Sequence, residues 1–159
     1  MGGRARAGGK AARVKLEDLV GTTHTSDWLL VEQRRIDAFA ETTEDRNPLH
    51  IDPAWCAAHS PYRVPIAHGF LTTSLLTPLA KGLLKVEDGS IVVNYGLDRL
   101  RMIGPVPVNS RIRGVFAVKA VEPKGEGSAV VRTAAEVFVE GGERPVLVAE
   151  MLAYVTKAR

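Results

Sequence analysis

The sequence predicts an α+β domain in which a long antiparallel sheet is wrapped around one long, apolar central helix. Three observations carry that expectation. Helical spacing is confined to the first half of the chain and strand patterning to the second. The stretch from Gly69 to Leu84 is apolar around most of its circumference, and such a helix is normally covered on most sides. The last strands are joined by EPKGEG and EGGER, which are turns too short for parallel crossovers. At 159 residues the chain fits one domain, and 45% hydrophobic residues suffice for a sizeable core.

Taken in order, residues 1–14 read as a disordered basic tail, and residues 15–159 as the single domain. Trp28 to Val31 is a short apolar run. From Glu32 to Thr43, Ile36, Phe39, Ala40 and Thr43 recur at helical spacing, which predicts an amphipathic helix. EDRNPLHIDP follows as a structured turn or loop, because its two prolines interrupt any regular pattern. Pro53 opens a short helix through His59, with Asp52 as its N-cap. SPYRVP is a further break. In the Gly69–Leu84 helix, Leu71, Leu75, Leu79 and Leu83 repeat every four residues, and Pro78 marks a kink. Strands are expected at 90–100, 110–121, 128–140 and 145–156.

Composition excludes several functions. The formal charge of +3 is local, since five of the 21 basic residues fall in the first fifteen positions, which contain no acid. Beyond them, 16 basic residues face 18 acidic ones, so the body is not a basic nucleic-acid-binding module. The single cysteine, Cys56, excludes an internal disulfide and a multi-cysteine zinc site, and reads as a buried thiol. No run approaches eighteen apolar residues and no secretory signal opens the chain, so a cytoplasmic protein without a membrane span is expected. The four histidines do not fall at a recognised metal spacing, and no phosphate-binding glycine loop is present.

The chemistry concentrates in residues 39–53 and 66–70. Asp45 and His50 are five apart across a proline-containing turn, which can fold a carboxylate and an imidazole into one cavity. Such a pair holds a water and moves its proton near neutral pH. The same residue types also serve as a turn carboxylate and a structural imidazole, and spacing alone does not choose. Asn47 and Asp52 are suited to fixing the turn through backbone hydrogen bonds, and Pro48 to stiffening it. Gly69 stands at the start of the apolar helix, where unpaired N–H groups can stabilise an oxygen gaining negative charge. A glycine serving only a tight entry explains it equally. His68 caps or orients that turn. Arg99 and Arg101 would share a face of a strand, facing phosphate oxygens of an acidic ligand or simply solvent and Asp98.

The segments DRNPLHIDP at 45–53 and AHGFL at 67–71 resemble the signature of MaoC-like hydratases, the (R)-specific enoyl-CoA hydratases and dehydratases with the hot-dog fold. SDWL at 26–29, VNYGLDRLR at 93–101 and PVPVNSRIR at 105–113 are similar to the branch containing nodulation protein N. The resemblance spans most of residues 20–156. It implies Asp45 and His50 as the catalytic pair, the Gly69 N–H as the donor to the thioester oxygen, and Asn47 as an organiser. It further implies reversible hydration of a trans-2-enoyl-CoA to an (R)-3-hydroxyacyl-CoA, with no metal and no cofactor beyond coenzyme A as carrier. Acyl carrier protein is a possible alternative carrier, and a homodimer joined through one continuous sheet is implied. Thioester hydrolysis and non-catalytic acyl-thioester binding are the competing functions.

Overall fold

The computed structural model describes residues 15–84, 86 and 90–157; the expected tail at 1–14 lies outside the described residues. A 3-10 turn, Leu16–Leu19, leads to two brief strands, β1 (Thr23–Thr25) and β2 (Leu29–Val31). Five helices follow: α1 (Gln33–Thr43), α2 (Pro48–Ile51), α3 (Pro53–His59), α4 (Gly69–Ser74) and α5 (Leu76–Leu79). Four long strands complete the chain: β3 (Ser90–Met102), β4 (Ser110–Pro123), β5 (Ser128–Val139) and β6 (Leu147–Lys157).

The strands form one antiparallel sheet in the order β1-β4-β5-β6-β3, with β2 also paired to β4. β1 and β2 lie along successive parts of β4, Thr23 opposite Ala117 and Leu29 opposite Ile112. Period-two alternation sends Ile112, Phe116 and Val118 of β4 inward, where they meet Leu76 and Leu79 in the main core. Gly114 lies in the same inward row because a Cβ there would strike the Phe116 ring and approach Leu79 Cβ to 3.3 Å.

One expectation fails here. There is no single long central helix from Gly69 to Leu84 for the sheet to wrap; the segment forms two short helices, α4 and α5, that meet at Leu75. Two local causes are visible. Pro78 has no N–H to offer the Ser74 carbonyl, and its ring crowds that turn. Thr72, Thr73 and Ser74 each turn a hydroxyl back to the carbonyl four residues earlier, at 3.3, 2.9 and 2.9 Å, a pattern that weakens and bends helices. Beyond α5, Gly82 takes φ +87 and the helical course ends. The leucine repeat survives the break, for Leu71, Leu75, Leu79 and Leu83 are all buried. Burial of that stripe therefore does not require a continuous helix.

Candidate active site

The site begins where α1 stops. Glu44 adopts the left-handed conformation (φ 62°, ψ 10°), which turns Asp45 out of the helix. The next two helices each start on a side-chain cap. Asn47 Oδ1 accepts the Leu49 N–H at 3.0 Å, with Pro48 in the first helical position. Asp52 Oδ1 accepts the Trp55 N–H at 2.9 Å, with Pro53 first in its helix. The stretch read as a turn thus contains α2, which carries His50.

Long-range contacts fix the His50 ring. Its Nδ1 lies 2.7 Å from the Ile66 carbonyl, so Nδ1 holds the proton it donates and Nε2 keeps its lone pair. The Gln33 side chain donates to the His50 carbonyl at 2.8 Å. His68, only 2% exposed, stacks on His50 with ring centroids 3.8 Å apart. His68 Nε2 donates to the Asp45 carbonyl at 2.9 Å and stands 4.0 Å from the Asp45 carboxylate. Its Nδ1 is buried without a partner among the described residues. Burial lowers the His50 pKa, and His68 adds to that effect; the Ile66 hydrogen bond and the Asp45 charge oppose it.

Asp45, His50 and His68 each offer an atom within 4.8 Å of the others. Sequence spacing did not reveal this trio as a possible ligand set, because His68 arrives from 18 residues beyond His50 by packing rather than by local pattern. Both histidines spend an N–H on a backbone carbonyl, which leaves one lone pair each.

Beside the trio opens a cleft of about 330 Å³, lined by His50, Tyr62, Gly69, Thr72, Met102 and Val106 among others. Asp45 is not a cleft wall and is 55% exposed. Gly69 is the first residue of α4, whose N-cap, His68, makes no side-chain capping bond. Arg99 and Arg101 are exposed and do not line the cleft. The strand alternation that would set them on one face is interrupted by a bulge between Asp98 and Arg101, where Arg99 takes φ +52. Asp98 pairs instead with Arg132 at 3.1 Å. Tyr62 and Met102 carried no signal in the sequence; a proline-rich break and a strand end concealed them.

Comparison with known proteins decides the family. Residues 16–140 match the MaoC like domain. The chain belongs to the MaoC-like family. This MaoC-like chain is 38% identical to 3-hydroxyacyl-thioester dehydratase Z of Mycobacterium tuberculosis over 127 residues, which cover 80% of it and 83% of that protein. It is 37% identical to nodulation protein N of Rhizobium leguminosarum over 131 residues, 82% of this chain and 81% of that one. Among solved structures it resembles the (R)-hydratase from A. caviae involved in PHA biosynthesis, at 30% identity and a TM-score of 0.63, covering 87% and 96% of the two chains.

Proposed function

We infer that this MaoC-like protein interconverts trans-2-enoyl-CoA and (R)-3-hydroxyacyl-CoA by adding or removing water. The observation that carries the reading is the His50 ring, oriented by the Ile66 carbonyl, clustered with the Asp45 carboxylate and lining one cleft with Gly69. The dehydratase and (R)-hydratase relatives support the same chemistry.

In hydration, His50 Nε2 takes a proton from water while Asp45 accepts a hydrogen bond from the same molecule. The water oxygen bonds to C3, and the C2=C3 electron pair moves toward the carbonyl to give an enolate-like thioester oxygen. The Gly69 N–H donates to that oxygen as its charge develops. The proton held by His50 then passes to C2, so OH and H are both added and the enzyme is restored. The thioester itself acidifies C2, and the reaction calls for no resident cofactor; coenzyme A is the carrier. Asn47, Pro48 and Asp52 hold the loop, and His68 braces it.

Arg99 and Arg101 supply exposed positive charge for the phosphates of coenzyme A or the phosphopantetheine of an acyl carrier protein. A second copy pairs along β3, the end strand of the sheet, where Ile91, Val93, Tyr95 and Leu97 are exposed and no partner strand lies among the described residues. A cytoplasmic location accords with the one free, buried thiol. Among the described residues, no helix is long and apolar enough to cross a membrane.

The test is turnover of crotonyl-CoA, followed as loss of enoyl-thioester absorbance. Asp45→Asn and His50→Ala are each expected to lower kcat by at least about 100-fold. Full activity in both variants, or thiol release in place of hydration, overturns the reading.

A further inference from the structure

Gly69 has no conformational need to be glycine, because its φ lies outside the left-handed range and it occupies an ordinary helical position. Its need is spatial. A Cβ at this position would collide with Met102 Sδ and would stand 3.2 and 3.3 Å from Met102 Cγ and Cε. The thioether therefore fills the space beside the N–H that the proposed reaction assigns to the thioester oxygen.

The backbone around Met102 is pinned. Met102 pairs with Leu147, and the Ile103 and Gly104 N–H groups both donate to the Val146 carbonyl, at 2.8 and 3.0 Å. The side chain is unbranched and the residue is 42% exposed, so the thioether can turn aside while its backbone stays fixed. His50 and Tyr62 line the same cleft.

We propose that Met102 is the movable wall of the thioester subsite, and that it selects for acyl groups unsubstituted at C2. The inference rests on the hydratase reading above. A thioester oxygen held at the Gly69 N–H brings C1 and C2 against the space the methionine side chain occupies. A linear enoyl group displaces the thioether alone. A methyl branch at C2 needs the same volume again, while C3 must still face His50.

The experiment compares kcat/KM for crotonyl-CoA and 2-methylcrotonyl-CoA in the wild type, Met102→Ala and Met102→Phe. A ratio of two substrates on one preparation does not depend on how much of it is folded. Comparing variants also cancels the lower intrinsic reactivity of the branched thioester. The wild type is expected to favour the linear substrate by at least about tenfold, within the range one methyl group commands in a pocket. Met102→Ala is expected to narrow that preference at least threefold, and Met102→Phe to widen it. Turnover of crotonyl-CoA with the same ratio in all three proteins overturns the role of Met102. No hydration by the wild type on either substrate instead overturns the underlying reading, and this inference with it. A second measurement tests the size argument directly. Gly69→Ala is expected to lower the melting temperature less when Met102→Ala is also present, and an equal loss in both backgrounds refutes the contact.

Discussion

Replacing His68 with phenylalanine separates what the buried imidazole does as a ring from what it does as a donor. Phenylalanine keeps a planar ring against His50, now 3.8 Å away, but leaves the Asp45 carbonyl without its 2.9 Å hydrogen bond. Loss of a buried donor of this kind costs about 1–3 kcal/mol. In a domain of this size each kcal/mol lowers the melting temperature by about 2–4 °C. Activity should fall further than folding. Asp45 is exposed and follows the left-handed C-cap Glu44 that ends α1 at Thr43, so the His68 bond restrains its carbonyl. A loop displaced by about 1 Å costs on the order of 100-fold in rate. His68→Phe is therefore expected to reduce kcat on crotonyl-CoA by 10- to 100-fold at about 2–12 °C of destabilisation. It should also move the acid limb of the pH–rate profile upward, because His68 is one of the groups that lower the His50 pKa. His68→Gln, which keeps an amide donor, should recover part of the rate. In an Asp45→Asn background the His68 substitution should cost little more, since both changes act on one element. Unchanged kcat and an unmoved pH profile in His68→Phe would refute the positioning argument.

The wild-type pH dependence follows from His50 itself. Its folded pKa is lowered, chiefly by burial, so the neutral form persists below the ordinary histidine value of about 6.5. Hydration measured as kcat/KM should stay level down to about pH 6.5 and fall only below it; an acid limb centred above that value contradicts the assignment. Stability follows the same sign. The His50 contribution is present above about pH 6.5 and is lost as pH falls through the lower folded pKa, which acid titration of the melting temperature reads against His50→Gln. Asn47→Ala removes the Leu49 N–H acceptor and should cost about 0.5–2 kcal/mol by denaturant unfolding, with Asn47→Asp losing less.

Where the sequence could be read, local chemistry decided the outcome. Ile36, Phe39 and Ala40 recur at helical spacing, and α1 stops at Thr43. Asp52 before Pro53 specifies a capped helix start that does not depend on any distant residue. The long strands were legible through their turns. The Gly69–Leu84 segment misled because its leucine repeat reports burial, not continuity. Pro78 was visible as a kink, while the three hydroxyls ahead of it acted as backbone competitors only once their carbonyl contacts were known. Arg99 illustrates a similar failure, because period-two reasoning presumes an unbroken ladder and a bulge adds one residue to it.

The site divides along the same line. Asp45, Asn47 and His50 belong to one turn, and a turn's residue types are written locally in its sequence. His68, Tyr62 and Met102 enter that site only through tertiary packing, from a helix cap, a loop and a strand end. His68 nonetheless turns a common Asp–His spacing into an ordered cluster. The Ile66 carbonyl selects the His50 tautomer, and His68 ties the Asp45 backbone to the start of α4. The bond from His68 also links the loop that carries Asp45 to the start of α4 at Gly69. Each of these restraints is worth little to global stability, since a backbone–imidazole hydrogen bond contributes about 1 kcal/mol net. In the proposed reaction their effect on rate is larger, because proton transfer and oxyanion stabilisation both depend on distances fixed before substrate arrives. Substitutions at His68 should consequently depress catalysis before they depress folding, whereas substitutions in the leucine stripe should do the reverse.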